Sequence, residues 1–277
     1  MDSIHNKMRV TLGFLVILFV PFWSNIYAVW EAGAKIGYDS NINRSVDHEQ
    51  SDQYLAGFIS YTKETDPVKK LEWTLTTTLE GTAYDHSNKL DSALLSLSPG
   101  LVLSPAPWWQ VTVSPFLKSE IVRDEDQSSL AFGGSIHLEQ QLNHGLYTGE
   151  YYIYTDSRAH METYSFTEQA LGVFLGKNWT PSFFSEIGYE YAHGTSFRTI
   201  TPLATTSYGK GYHRRYSTTF GADVVRDTID CHAIGLNIGF DWSDSLATLL
   251  GYTYTSAKGE LGTTITHEAF VGMSYRF

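Results

Sequence analysis

Thr264 to Phe277 reads T-I-T-H-E-A-F-V-G-M-S-Y-R-F. Every second residue is apolar or aromatic: Ile265, Ala269, Val271, Met273, Tyr275 and Phe277, with His267 the one interruption. Thr264, Thr266, Glu268, Gly272, Ser274 and Arg276 lie between them, and Phe270 is the one bulky residue in that polar set. A period of two places successive side chains on opposite faces of a strand. The run is long enough to cross a bilayer as a tilted strand with one face toward lipid.

The same alternation recurs upstream in segments of about ten residues, the length a tilted membrane strand needs. Trp30 to Ser40 sets Ala32, Ala34, Ile36 and Tyr38 against Glu31, Gly33, Lys35 and Gly37. Leu71, Trp73, Leu75 and Leu79 alternate with Glu72, Thr74, Thr76, Thr78 and Glu80. Trp109, Val111, Val113, Leu117 and Ile121 alternate with Gln110, Thr112, Ser114, Lys118 and Glu120. In the seventh segment the expected outward set is Tyr147, Tyr151 and Ile153, with Glu150 opposite. Short turn signals at Asp66-Pro67, Pro105-Ala106-Pro107, Asn143-His144-Gly145, Pro181-Ser182 and Asp241 to Ser245 alternate with longer polar loops. The pattern predicts an all-β, antiparallel, up-and-down transmembrane barrel. Counting strands from both ends leaves Gly194 to Cys231 joining an upward to a downward strand. One long external loop there gives 12 strands, and an extra hairpin within Tyr212 to Val225 gives 14. Arg214 and Arg215 on a lipid face would cost a few kcal/mol, which favours 12.

Residues 1–28 read as a cleaved signal peptide: Lys7 and Arg9, an apolar run from Val10 to Trp23, then Ser24 to Ala28 ending on a small residue. The apolar run is short for a membrane helix, and no cysteine follows the expected cut to carry a lipid anchor. Residues 29–277 form the expected barrel, about 250 residues, a length that suits one large barrel.

Removing the leader makes the net charge of −11 one unit more negative. An acidic exported chain with no Lys/Arg cluster points away from nucleic acid. Cys231 is the one cysteine, so no intrachain disulfide forms. Aromatics make up 14% of the chain, with Tyr 18 and Trp 7, as interfacial girdles demand. The mean hydropathy is slightly negative, which excludes a helical membrane protein.

The closing strand, with Tyr275 two residues before a terminal Phe277, resembles the C-terminal strand by which bacterial outer-membrane barrels are recognised for assembly. That resemblance implies a Gram-negative outer-membrane location and an assembly signal in Val271, Met273, Tyr275 and Phe277. The partners it implies are the barrel-assembly machinery, outer-membrane lipid and lipopolysaccharide. Ala34 to Ser45, A-K-I-G-Y-D-S-N-I-N-R-S, resembles the opening strand of the barrel in surface lipoprotein assembly modifiers and related porin-like families. It implies a barrel that helps to move a polypeptide. Members of that family resemble a helical repeat domain followed by a barrel, whereas here the barrel is expected directly after the leader.

The expected inward face is acidic. It collects Glu31, Glu72, Glu80, Glu120, Glu139, Glu150, Glu168, Glu186, Glu190 and Glu268 against Lys35, Lys118, Arg276 and the titratable His137. Charges lining a pore select against like charges. The leading functional expectation is a transport pore for small cationic solutes, or a translocation pore for a polypeptide. The alternative is a structural or adhesive barrel that acts through its loops, especially Gly194 to Asp230. Tyr152, Phe174, Phe184 and Phe270 are expected inside, partly filling the lumen. A lipid-modifying enzyme comes third: Ser135, His137 and Glu139 share one strand face, but no family motif surrounds them. Asp85-His86 and Asp230-His232 suggest acid–histidine pairs by composition only. No catalytic, metal or cofactor set is expected.

Overall fold

The computed structural model describes residues 28–63, 70–201 and 214–277. The leader, apart from its last residue, and the Asp66-Pro67 turn lie outside the described residues.

The strands are β1 (Ala28–Asp39), β2 (Asp52–Lys63), β3 (Leu71–Tyr84), β4 (Ser92–Ala106), β5 (Trp109–Val122), β6 (Ser129–Gln141) and β7 (Leu146–Ala159), followed by β8 (Phe166–Thr180), β9 (Phe183–Ile200), β10 (Arg214–Ser217), β11 (Ala222–Asp241), β12 (Leu246–Gly259) and β13 (Gly262–Arg276). Each wall strand pairs antiparallel with its neighbours, and β1 closes on β13 from Glu31↔Arg276 to Asp39↔Glu268. Closure leaves no unpaired edge, the condition for crossing lipid with strands.

The wall has 12 strands, because β9 pairs directly with β11 from Phe183↔Phe240 to Ile200↔Asp223. β10 is outside the ring: its four residues pair only with Ala222–Val225 at the far end of β11. The weak alternation around Tyr216 therefore belongs to a flap beyond the wall. Gly194 to Cys231 is less a loop than expected. β9 and β11 continue as a two-stranded ribbon above the barrel mouth, where both faces find protein partners and no apolar alternation is required. Between β12 and β13 the external connection is a turn at Glu260 and Leu261.

The outer face carries exposed Ile36, Leu79, Leu95, Ile121, Ile136, Leu171, Ile187 and Val271 in a continuous belt. An apolar surface of this extent is stable only against lipid. Trp30, Trp73, Trp108, Trp109, Trp179 and Trp242 sit at the end with the chain termini and short turns, the periplasmic end in this architecture. Tyr38, Tyr189, Tyr191 and Tyr252 ring the opposite, loop-bearing end.

Inside, flat aromatic rings lie on glycines of the next strand. A Cβ on Gly172 would collide with Tyr151, and one on Gly176 with Tyr147. This pairing overturns the expected facing of β7. Tyr147, Tyr151 and Ile153 point inward, while Tyr152 and Glu150 point outward. Phe174, Phe184 and Phe270 are inward as expected, each against a glycine: Gly149, Gly239 and Gly251.

Candidate functional site in the lumen

The register sets which side chains meet inside. Near the periplasmic end Glu72 lies 3.5 Å from the Lys63 ammonium, and Arg276 lies 3.5 Å from Glu31. Higher up, Lys35 pairs with Glu80 at 3.5 Å, both side chains about one-third exposed. The Tyr151 hydroxyl donates to Glu190 at 2.8 Å, and Asn237 donates to Glu186 at 3.4 Å. Gln141 donates to Glu139 at 2.9 Å. Tyr54 donates to Glu268 at 2.6 Å. Lys118 sits 4.7 Å over the Phe116 ring. His137 stacks on Tyr151 with ring centroids 5.6 Å apart. Ser135 turns its hydroxyl to the Ser114 carbonyl at 3.5 Å, so the three residues of β6 that share a face do not form a hydrogen-bonded relay.

Glu150 is the exception among the expected lumen residues. Its register partners are Leu138 and Val173 on the outer face. Alternation alone assigns it the wrong side because β7 is aromatic on both faces.

In the external half the lumen widens into a cavity of about 450 Å³. Asp39, Glu120 and Glu168 contribute carboxylates to it from three separate strands, and Arg44 contributes a guanidinium from the loop of residues 40–51. That loop folds into the mouth. Asn41 donates to the Ser45 carbonyl at 3.1 Å and to the Ile265 carbonyl at 3.2 Å, and its own Oδ1 accepts the Ser45 N–H at 2.9 Å. Asn43 is held by Thr199, which donates to its carbonyl at 2.9 Å. Asn41 and Asn43 are thus buried anchors.

Two more groups were not singled out from the sequence. Arg198 is buried and donates to Asp227 at 3.4 Å, to the Gly262 carbonyl at 2.7 Å, to Thr264 at 3.0 Å and to the Ala257 carbonyl at 2.5 Å. It ties the β9–β11 ribbon to the β12–β13 turn. Above it, Tyr164, Phe220 and Val224 form a small apolar core with Phe197 and Met161. No periodicity marks either group, since their partners come from distant segments.

One group of described residues has a metal-ligand composition: Asp52, Asp85 and His86. The Asp52 carboxylate already accepts the backbone N–H of Ser87 at 2.7 Å and of His86 at 3.1 Å. Its geometry is that of a tether for the β3–β4 loop. Asp230 and His232 do not pair with each other. Asp230 contacts Tyr191 at 2.7 Å and His193 at 2.9 Å, whereas His232 contacts Tyr189 at 2.8 Å, all on the outer face.

The closed wall, apolar belt and girdles place the chain among transmembrane barrels of outer-membrane type. Comparison with solved structures agrees. An outer membrane channel from Pseudomonas putida F1 superposes with a TM-score of 0.61 at 7% identity, covering 90% of this chain and 95% of that one. The KdgM porin in complex with disordered oligogalacturonate gives a TM-score of 0.52 at 8% identity, covering 89% of this chain and 99% of the porin. No protein-family model matches the chain, and no curated protein matches it by sequence. At such identities the likeness is one of fold.

Proposed function

We propose that this chain is an outer-membrane transport pore of a Gram-negative bacterium that favours small cationic solutes. One observation carries the reading: the inner wall is rich in carboxylates, and Asp39, Glu120 and Glu168 converge on the cavity in its external half. Charge at a narrow, low-dielectric passage concentrates counter-ions and repels co-ions. The oligogalacturonate held by the KdgM porin is a polyanion, and a wall of this sign disfavours such a solute. Nothing in this reading requires a catalytic group, cofactor or nucleic acid. Its partners are outer-membrane lipid, lipopolysaccharide and, through Val271, Met273, Tyr275 and Phe277, the barrel-assembly machinery.

The test is a planar-bilayer measurement. Purified protein conducts, and reversal potentials in a salt gradient favour cations. The preference weakens toward 1 M salt, where the Debye length falls to about 3 Å. A folded barrel that does not conduct, or that prefers anions, rejects the reading.

The resemblance of Ala34 to Ser45 to assembly-modifier barrels supports a second reading, a polypeptide-translocating barrel that opens with a partner. The buried Asn41 and Asn43, which draw that same segment into the mouth, favour it. An external-loop adhesin is the remaining alternative, and its test is a deletion within residues 202–213, outside β9, which should abolish function while leaving the barrel folded.

A further inference from the structure

The external cavity carries both signs of charge, and the positive one is placed by design of the backbone. Arg44 stands at the tip of the turn between the buried Asn43 and Ser45, with φ of 51°. A non-glycine residue in the left-handed region is uncommon, and it persists where surrounding contacts hold it. Those contacts are present: the Arg44 N–H donates to the Asn41 carbonyl at 3.1 Å, and Ser45 bridges to Thr199. The guanidinium lies 4.9 Å over the Phe197 ring and donates to the Ser196 hydroxyl at 2.5 Å. Among the described residues it makes no direct ion pair with a carboxylate. Arg198 lines the same cavity, but its donors are taken by Asp227, Thr264 and two carbonyls.

Arg44 is therefore the guanidinium of this cavity that retains donors for a ligand, and a guanidinium pairs best with a planar carboxylate through two parallel bonds. Asp39, Glu120 and Glu168 face the same space and call for cationic groups. The volume lies within the usual range for small-molecule sites. We propose that this cavity is a binding site for a basic zwitterion, a basic amino acid or a short basic peptide. Its carboxylate docks on Arg44 and its ammonium or guanidinium groups dock on Glu120 and Glu168. The inference deepens the transport reading by naming a substrate class for the same lumen.

The test compares lysine with cadaverine, which is lysine without its carboxylate. Binding of each to the purified barrel in detergent is measured by titration calorimetry at low salt, for wild type, Arg44→Gln and Arg44→Gly. The glycine variant relieves the positive φ, and heat-modifiable gel migration confirms folding of both. Both variants shift the lysine-to-cadaverine affinity ratio by about tenfold toward cadaverine, the size of one charge-assisted hydrogen bond. Glu120→Gln with Glu168→Gln weakens both ligands and leaves the ratio in place. An Arg44 ratio unchanged within about twofold overturns the site, as does a wild-type barrel that binds neither ligand. A barrel that shows the ratio shift yet does not conduct keeps the site and removes the pore.

Discussion

Replacing Arg198 by alanine is the perturbation with the clearest expected size. The side chains of Arg198 and Asp227 are 2% and 1% exposed, so water does not replace a lost partner. Removing one member of a buried pair costs about 3–5 kcal/mol, because the other charge stays buried without compensation. Here Asp227 keeps the backbone N–H groups of Glu260 and Leu261, at 3.3 and 3.4 Å, which places the loss near the lower end. The Gly262 carbonyl loses its side-chain donor as well, at about 1–3 kcal/mol if it stays dry, while the Ala257 carbonyl keeps the Thr264 hydroxyl at 3.4 Å. We expect Arg198→Ala to lower the unfolding free energy by about 4 kcal/mol, read from urea titrations of vesicle-refolded barrel. Arg198→Met with Asp227→Asn removes the stranded charge but not the orphaned Gly262 carbonyl, so it recovers only part of the loss. If Arg198→Ala stays within about 1 kcal/mol of wild type, the ribbon is not held by this clamp, and the reasoning fails.

Three other outcomes follow from the geometry. Glu150→Leu, on the lipid face, raises stability by about 1 kcal/mol and leaves ion selectivity unchanged; a selectivity change would return Glu150 to the lumen. Glu186→Gln with Glu190→Gln lowers the cation preference more than Glu72→Gln with Glu80→Gln does, since Lys63 and Lys35 already offset the latter pair; reversal potentials decide this. Asp47 has its carboxyl held below the usual range: burial raises it, but hydrogen bonds from the Thr201 hydroxyl and N–H and from Ser45 together outweigh that. Its stabilisation is present above the unfolded value of 3.8 and disappears as pH falls through the lower folded value. The urea midpoint of wild type thus exceeds that of Asp47→Asn at pH 6, and the gap narrows as the pH falls below 3.8.

The wall was legible where one face meets lipid and the other meets water. β3, β5 and β13 each alternate cleanly, and each stands in the expected facing. β7 was misread for a physical reason. A tyrosine resting on a glycine inside and a tyrosine at the membrane interface outside are the same residue in sequence. The deciding signal, Gly172 and Gly176, lies on the next strand and matters only once register is known. The ends of β9 and β11 were missed because above the membrane no apolar face is required. The acidic cavity was half legible: Glu120 and Glu168 followed from strand parity, and Asp39 continues the inward set of β1. Arg44 did not follow, because a loop residue has no parity, and its place depends on the side chains of Asn41 and Asn43.

The sorting of aromatics between the two rims has a spectroscopic consequence. The described indoles cluster at the rim that bears the chain termini, beside Tyr61 and Tyr275, while the opposite rim carries phenols and none of the described indoles. Intrinsic tryptophan emission is then a one-sided optical label. When the barrel enters a vesicle with its loops leading, the indoles remain near the leaflet of entry and only tyrosines traverse the hydrocarbon. Quenchers fixed at graded depths in that leaflet would time its arrival, and a probe in the distal leaflet would stay dark to them, without any dye attached to the protein.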